Sequence, residues 1–496
     1  MPLAPVPTAS PRSAPRQVAG RLAAVLLLAV AVLLFDPPGA AWAANGAGQG
    51  RGALSAVTGV ATLAPGEVGM IALPVGGGRV LFEHNAEQAF NPASTMKLVT
   101  TYAALSLLGP EYRWRTGIYL GGKLEAGELH GDLVLRGAGD PKLVIEDLTE
   151  LVARMMASGL RRIDGDLVLD DALYDLAGEN LGPLDGDASQ PYNVAPDAAL
   201  FNFKAVQITV RPGGQAAEIV LDPALAGVKI INEVRVRPGA CTNGEGFLVS
   251  DGGDEQNPAI RVGGTISAAC GEQSQFSAVL SHRQFVGALF RAAWVGAGGS
   301  WDGKVRVVRG AARGVPWLVW ESPRSLTQVV EDIHKQSNNV MARQLLLQLG
   351  AEYAPRPATV ARARQVVGSW LASQGLHFPE MLLDNGSGLS RDARISVNSL
   401  ARLLVHAASG PHADTMRLSL PLAGVDGTMK NRLVGEELSA RAWIKTGSLD
   451  GVRAIAGYVD ASSGRRYVVV MIVNGAAAAQ SRSAQDGFLR WVFNNG

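Results

Sequence analysis

Three short strings constrain this chain more than anything else in it: Ser94-Thr95-Met96-Lys97, Ser337-Asn338-Asn339 and Lys445-Thr446-Gly447. They have the forms SxxK, SxN and KTG. Ser94 stands 243 residues before Ser337, and Ser337 stands 108 before Lys445. If the three converge, the fold must join distant parts of the chain, and the place where they meet is equipped for acyl transfer through a serine ester. Each string alone has a blander reading, so the inference rests on the set.

Ser94 follows Asn91-Pro92, where a helix is expected to begin. A residue three further on shares a helical face, so Lys97 Nζ can reach Ser94 Oγ. A free serine hydroxyl is a poor nucleophile and needs an adjacent base. Lysine can serve once burial or neighbouring cations lower its pKa. The helix start also offers N–H groups and a positive dipole end to a developing oxyanion. The blander reading is an N-cap serine followed by a solvated lysine.

Two SxN strings compete. Ser396-Val397-Asn398 opens an apolar helical pattern and is most simply a cap. Ser337-Asn338-Asn339 interrupts a long helical stretch, where such residues compete with helix hydrogen bonding. It suits a loop presenting Ser337 as a proton relay between Lys97 and the leaving amine, with Asn339 orienting the substrate amide and Lys97. Lys445 and Thr446 follow a strand pattern and can meet a substrate carboxylate where an edge strand receives an extended peptide. Gly447 allows close backbone approach, and the Ser448 N–H is the candidate second oxyanion donor. The competing reading is a hairpin turn with an exposed lysine.

Other chemistry is thinly represented. There is no G-x-S-x-G elbow and no H-E-x-x-H string. The seven histidines are scattered, and His334 reads as helix surface. The run 384–391 (Asp-Asn-Gly-Ser-Gly-Leu-Ser-Arg) lacks phosphate-loop spacing and is either a surface turn or a loop bordering the cleft. No metal or cofactor is expected. With 45 basic and 44 acidic residues, net charge +1, nothing argues for a nucleic-acid partner.

The first residues read as an export signal: Arg12, Arg16 and Arg21, then fourteen apolar residues over 22–35, then Ala41-Trp42-Ala43 as a cleavage site. The alternative is a membrane anchor, but a span needs roughly 20 apolar residues. The expectation is a periplasmic protein cleaved near Ala43, with at most peripheral membrane contact. An exported chain meets an oxidising compartment, which favours a disulfide between Cys241 and Cys270 over two unpaired thiols.

Residues 45–65, rich in Gly and Ala, read as a mobile linker. Two apolar runs flank Val75-Gly76-Gly77-Gly78 as a hairpin, and a helix is expected over 95–108. Between about 115 and 280, short β-rich runs alternate with Gly, Asp and Pro turns, suiting one or two inserted modules. Helical periodicity returns over 326–349, 358–374 and 399–408. Three strands and a terminal helix close the chain and suggest antiparallel pairing.

The whole pattern resembles the penicillin-binding D-Ala-D-Ala carboxypeptidase/endopeptidases of low-molecular-mass class C. Beyond the three motifs, the likeness includes Arg136-Gly137-Ala138-Gly139-Asp140-Pro141, Asp164-Gly165-Asp166, Asn385-Gly386-Ser387-Gly388-Leu389-Ser390-Arg391 and Pro421-Leu422-Ala423-Gly424. The resemblance implies an α/β (α+β) fold: a β-lactamase/transpeptidase-like domain, with a central antiparallel sheet flanked by helices, built from 44–115 and 284–496. The block 116–283 would be the inserted β-rich domains, and 1–43 the signal. It implies peptidoglycan stem peptides ending in D-Ala-D-Ala as substrate, Lys445 and Thr446 on the terminal carboxylate, and β-lactams acylating Ser94. Asp187 stands near where some members meet the free amine of the stem peptide's diamino acid. Residues 181–192 contain no tryptophan, however, and the alternative is that Asp187 belongs to a polar loop with Asp185. A β-lactamase and a non-catalytic cell-wall binding protein remain the competing functions.

Overall fold

The computed structural model describes residues 51–496, apart from 61, 62, 180, 181, 214 and 215. The expected signal segment and its cleavage site lie outside the described residues.

The strand Arg466–Asn474 is apolar on both faces, which places it inside a sheet rather than at its edge. Val468, Val470 and Ile472 join one core cluster, while Val469, Met471 and Val473 join another. That is the period of two expected when both faces of a strand are covered. The sheet is five-stranded and antiparallel, in the order Phe82–His84, Val68–Pro74, Arg466–Asn474, Val452–Asp460, Ala442–Leu449. Residues from near both ends of the chain are therefore neighbours, with Ile71 opposite Val470.

One face carries the terminal helix Arg482–Asn495 through Phe488, Leu489 and Val492. Leu54 and Val57, in the helix Arg51–Thr58, bury against the same cluster. The linker expected over 45–65 is thus corrected for these residues. The Gly/Ala-rich composition masks an apolar pair at i, i+3 spacing. The other face carries Lys97–Leu108, Leu326–Lys335, Asn339–Tyr353, Val360–Ser373 and Val397–Ser409. Lys97–Leu108 is buried from Lys97 through Leu105, so it is a central helix without a solvent face over that length.

The β-rich block has a core of its own around the helices Ile145–Ala157 and His282–Gly296. Its five-stranded sheet runs Val305–Val307, Leu167–Asp170, Leu133–Arg136, Arg115–Leu120, Leu318–Glu321. Pairing thus carries the block past 283, the limit expected from sequence, because 305–307 lies parallel to 167–169 and 318–321 antiparallel to 115–118. We propose a boundary after Glu321 in its place. Cys241 and Cys270 are joined within this block, with S–S 2.08 Å.

Candidate active site

The turn that carries Ser94 is fixed by a set of hydrogen bonds. The Asn91 N–H donates to Asn474 Oδ1 at 2.7 Å, and Asn474 Nδ2 donates back to Asn91 O at 3.0 Å. Asn91 Oδ1 accepts the Ala93 N–H at 2.9 Å, and Asn91 Nδ2 donates to Ser390 O at 2.8 Å. These bonds hold Ala93 at φ +45°, a conformation that non-glycine residues avoid unless surroundings impose it. The single 3-10 turn Ala93–Met96 then runs directly into Lys97–Leu108. Ser94 is half-buried, and Lys97 is fully buried.

Lys97 Nζ lies 2.9 Å from Ser94 Oγ, 2.6 Å from Asn339 Oδ1 and 2.6 Å from Ser387 O. A neutral amine has two hydrogens and one lone pair. Asn339 Oδ1 and the Ser387 carbonyl can only accept, so they take both hydrogens and leave the lone pair for the Ser94 hydroxyl proton. Burial holds the Lys97 pKa well below its ordinary value, and the positive charges of Lys445 and Arg343 add to that. The geometry accommodates a neutral amine, and the electrostatics favour that form over the charged one.

The SxN string separates the helices Leu326–Lys335 and Asn339–Tyr353. Ser337 sits at φ +55°, and Asn338 Oδ1 caps the second helix by accepting the Met341 N–H at 3.0 Å. That break explains why a Ser-Asn-Asn run stands within an apolar helical pattern. Ser396 is a helix cap, accepting the Ser399 N–H at 3.0 Å. Ser337 Oγ accepts from Lys445 Nζ at 2.9 Å and so keeps its own proton for another acceptor. Lys445 is fully buried, and burial pushes its pKa down to about 7.

Ala442–Leu449 is the edge strand of the central sheet. The Ile444 N–H donates outward to Pro421 O at 2.8 Å, away from Val452–Asp460. Antiparallel alternation turns the N–H groups of Thr446 and Ser448 to that same outer side. Gly447 explains how the strand approaches Ser94. A Cβ there would lie 2.8 Å from Pro92 O and 3.1 Å from Ser94 N. Gly388, at φ +74°, comes closer still to the same turn, where a Cβ would meet Ala93 O at 1.8 Å.

Direct contacts thus link Ser94, Lys97 and Asn339, and separately Ser337 and Lys445, with Gly447 against the Ser94 turn. The Asn385–Arg391 run, left open between a surface turn and a cleft loop, supplies an acceptor for Lys97 through Ser387. His334 corrects its surface reading. It is fully buried, with Nε2 2.9 Å from Thr101 Oγ1 and Nδ1 2.8 Å from Ser419 Oγ. Its pKa is held well down by burial, then by Lys445, Lys97 and Lys335. The signal was present, since His334 follows Val330 by four on the face that buries Leu326, Val329 and Ile333.

Asp187 is not brought to these groups by any contact. Its Oδ1 accepts from Ser189 N at 2.9 Å and Ser189 Oγ at 2.6 Å, and its Oδ2 accepts from Gln190 Nε2 at 2.9 Å. These bonds, Ser189 first, hold its pKa below the usual carboxylate range. Asn193 Nδ2 donates to Asp185 Oδ1 at 2.7 Å and to the Asp187 backbone O at 2.9 Å, so Asp187 belongs to a polar loop with Asp185.

A family model described as "D-Ala-D-Ala carboxypeptidase 3 (S13) family" matches residues 52–494. The chain belongs to the S13 family. Within reach of it by sequence is the D-alanyl-D-alanine carboxypeptidase DacB of Haemophilus influenzae, 27% identical over 84% of this chain and 87% of that protein. A D-alanyl-D-alanine carboxypeptidase of Actinomadura sp. is 29% identical over 84% of this chain and 79% of its own length. The crystal structure of penicillin binding protein 4 (dacB) from Haemophilus influenzae superposes with TM-score 0.74 at 26% identity, covering 89% of this chain and 98% of that one. The S13 match thus spans the three motifs and the β-rich block between the first two.

Proposed function

We propose that this protein is an exported serine D-Ala-D-Ala carboxypeptidase acting on peptidoglycan stem peptides, with DD-endopeptidase activity on cross-links and covalent inhibition by β-lactams. Membership of the S13 family supports the reaction class. The observation that carries the assignment of roles is the contact set of Lys97: two obligate acceptors and the Ser94 hydroxyl.

In this reading Lys97 takes the Ser94 proton as Oγ attacks the carbonyl of the penultimate D-Ala. The oxyanion is held by the N–H groups of Ser94 and Ser448. Ser337, backed by Lys445, relays the proton held by Lys97 to the leaving amine, giving up its own hydroxyl proton as it takes that of Lys97; the C–N bond breaks, D-Ala departs, and Lys97 is neutral again. Water, deprotonated by Lys97, then cleaves the ester and restores Ser94. Lys445 and Thr446 hold the terminal carboxylate, and Asn339 orients the peptide amide. Export through the arginine-flanked apolar segment would deliver the enzyme to this substrate. No described helix is long and apolar enough to cross a membrane.

Two pH limits follow. The base must be neutral, so turnover falls as pH drops through the lowered pKa of Lys97. Lys445 must be protonated to attract a carboxylate, so KM rises as pH climbs through about 7. Digestion of pentapeptide muropeptides and cross-linked dimers, followed by release of D-Ala and monomers, tests the function. Rapid turnover of benzylpenicillin with no release from either muropeptide would replace this reading with a β-lactamase.

A further inference from the structure

The segment after helix Ala413–Ser419 belongs to none of the three strings, yet it touches the KTG strand and the end of the helix that leads into SxN. It first runs beside the KTG strand: the Ile444 N–H donates to Pro421 O at 2.8 Å, and the Ala423 N–H donates to Ala442 O at 2.9 Å. It then turns away at Asp426. Asp426 Oδ1 accepts the Leu422 N–H at 2.8 Å, and Asp426 Oδ2 accepts from Lys335 Nζ at 2.6 Å. Lys335 also donates to Leu420 O at 2.8 Å, and it stands two residues before Ser337. Gly427, at φ +53°, lies so close to this stretch that a Cβ would meet Lys335 O at 2.9 Å. The turn is therefore clamped to the end of the helix that leads into SxN.

Its tip is Thr428, exposed, with Oγ1 2.8 Å from Thr446 Oγ1. Two hydroxyls in contact share one of their two protons, and the direction of sharing decides what each offers to a third group. An approaching anion needs a donated proton. When Thr446 turns its O–H to that anion, its oxygen is open to the Thr428 O–H, and the pair becomes a two-step donor chain aimed at the ligand.

We infer that the Asp426-Gly427-Thr428 turn is a fourth element of the active site, and that Thr428 determines specificity for a substrate with a free C-terminal carboxylate by polarising and orienting the Thr446 hydroxyl. Asp426 is a positioning residue that acts through the Lys335 clamp. The inference rests on the reading that Thr446 meets the carboxylate.

The test compares Thr428→Val, Thr428→Ser and Thr446→Val on a diacetyl-Lys-D-Ala-D-Ala peptide, as the free acid and as its C-terminal amide. Thr428→Val is expected to raise KM for the acid roughly 3- to 10-fold, the worth of one hydrogen bond, with a smaller change in kcat. It should lower the acid-to-amide preference by a similar factor, and Thr428→Ser should restore both. Loss falling on kcat alone, or failure of serine to rescue, would overturn the role of Thr428. If Thr446→Val lowers the preference while Thr428→Val leaves it intact, only the Thr428 inference falls. If Thr446→Val leaves it intact, the carboxylate reading of Thr446 falls as well.

Discussion

The β-rich block and the region around Ser94 treat positive charge in opposite ways. In the block, Arg306 pairs with Asp132 and Asp166, each at 2.6 Å, while 48% of its side chain stays exposed. Arg211 meets Glu272 at 2.7 Å, with both side chains about half exposed. Around Ser94, Lys97 and Lys445 are fully buried, and the charged neighbours acting on Lys97 are the cations Lys445 and Arg343. Exposed pairs contribute little to stability, whereas buried cations without counter-charges are costly. A fold keeps such an arrangement where its chemistry requires a neutral amine. On the proposed mechanism, the contrast separates the region that reacts from one whose charges stay in solvent-exposed pairs.

The largest effect should come from removing the neutral base. Lys97→Met is expected to lower kcat/KM roughly 100- to 10,000-fold with the fold intact by circular dichroism. The same substitution reads the burial directly. With its folded pKa below the unfolded value near 10.4, the unfolded chain binds more protons between the two, so wild-type stability rises with pH across that window. Lys445, at about 7, adds the same sign between about 7 and 10.4, worth about 1.4 kcal/mol per pH unit. Denaturant unfolding across pH should show a shallower rise in Lys97→Met and in Lys445→Met. An unchanged slope would mean that these lysines are not buried neutral.

A smaller effect is expected from crowding the site without altering its charges. Gly447→Ala places a methyl 2.8 Å from Pro92 O and 3.1 Å from Ser94 N, both backbone atoms that cannot swing aside. The KTG strand must move from the nucleophile, and β-lactam acylation should slow by roughly 100-fold, measured by stopped-flow with a fluorescent penicillin. The smallest effect belongs to the β-rich block. Arg306→Ala should cost less than about 1 kcal/mol and leave kcat/KM nearly unaltered. A larger loss of activity would erase the contrast between the two regions.

Much of the site was legible in the sequence because its motifs encode local geometry. Ser94 and Lys97 share a turn whatever surrounds them, and the Ser-Asn-Asn break had no packing explanation. The antiparallel strands near the end of the chain were equally readable, as three successive apolar runs followed by a helix. What escaped depends on tertiary contact. The strands over 300–321 reveal their partners only through long-range pairing, which is why the boundary proposed after Glu321 differs from the expected limit at 283. Thr428 sits in a turn whose position is set by Lys335, not by local sequence. His334 was misread because a histidine among charged neighbours looks solvated, although its helical phase was apolar.

Mass spectrometry after exposure to benzylpenicillin tests the central claim most directly. A stable penicilloyl adduct should map to the peptide that holds Ser94 and vanish in Ser94→Ala. An adduct on another residue, or undiminished labelling of Ser94→Ala, would contradict the account.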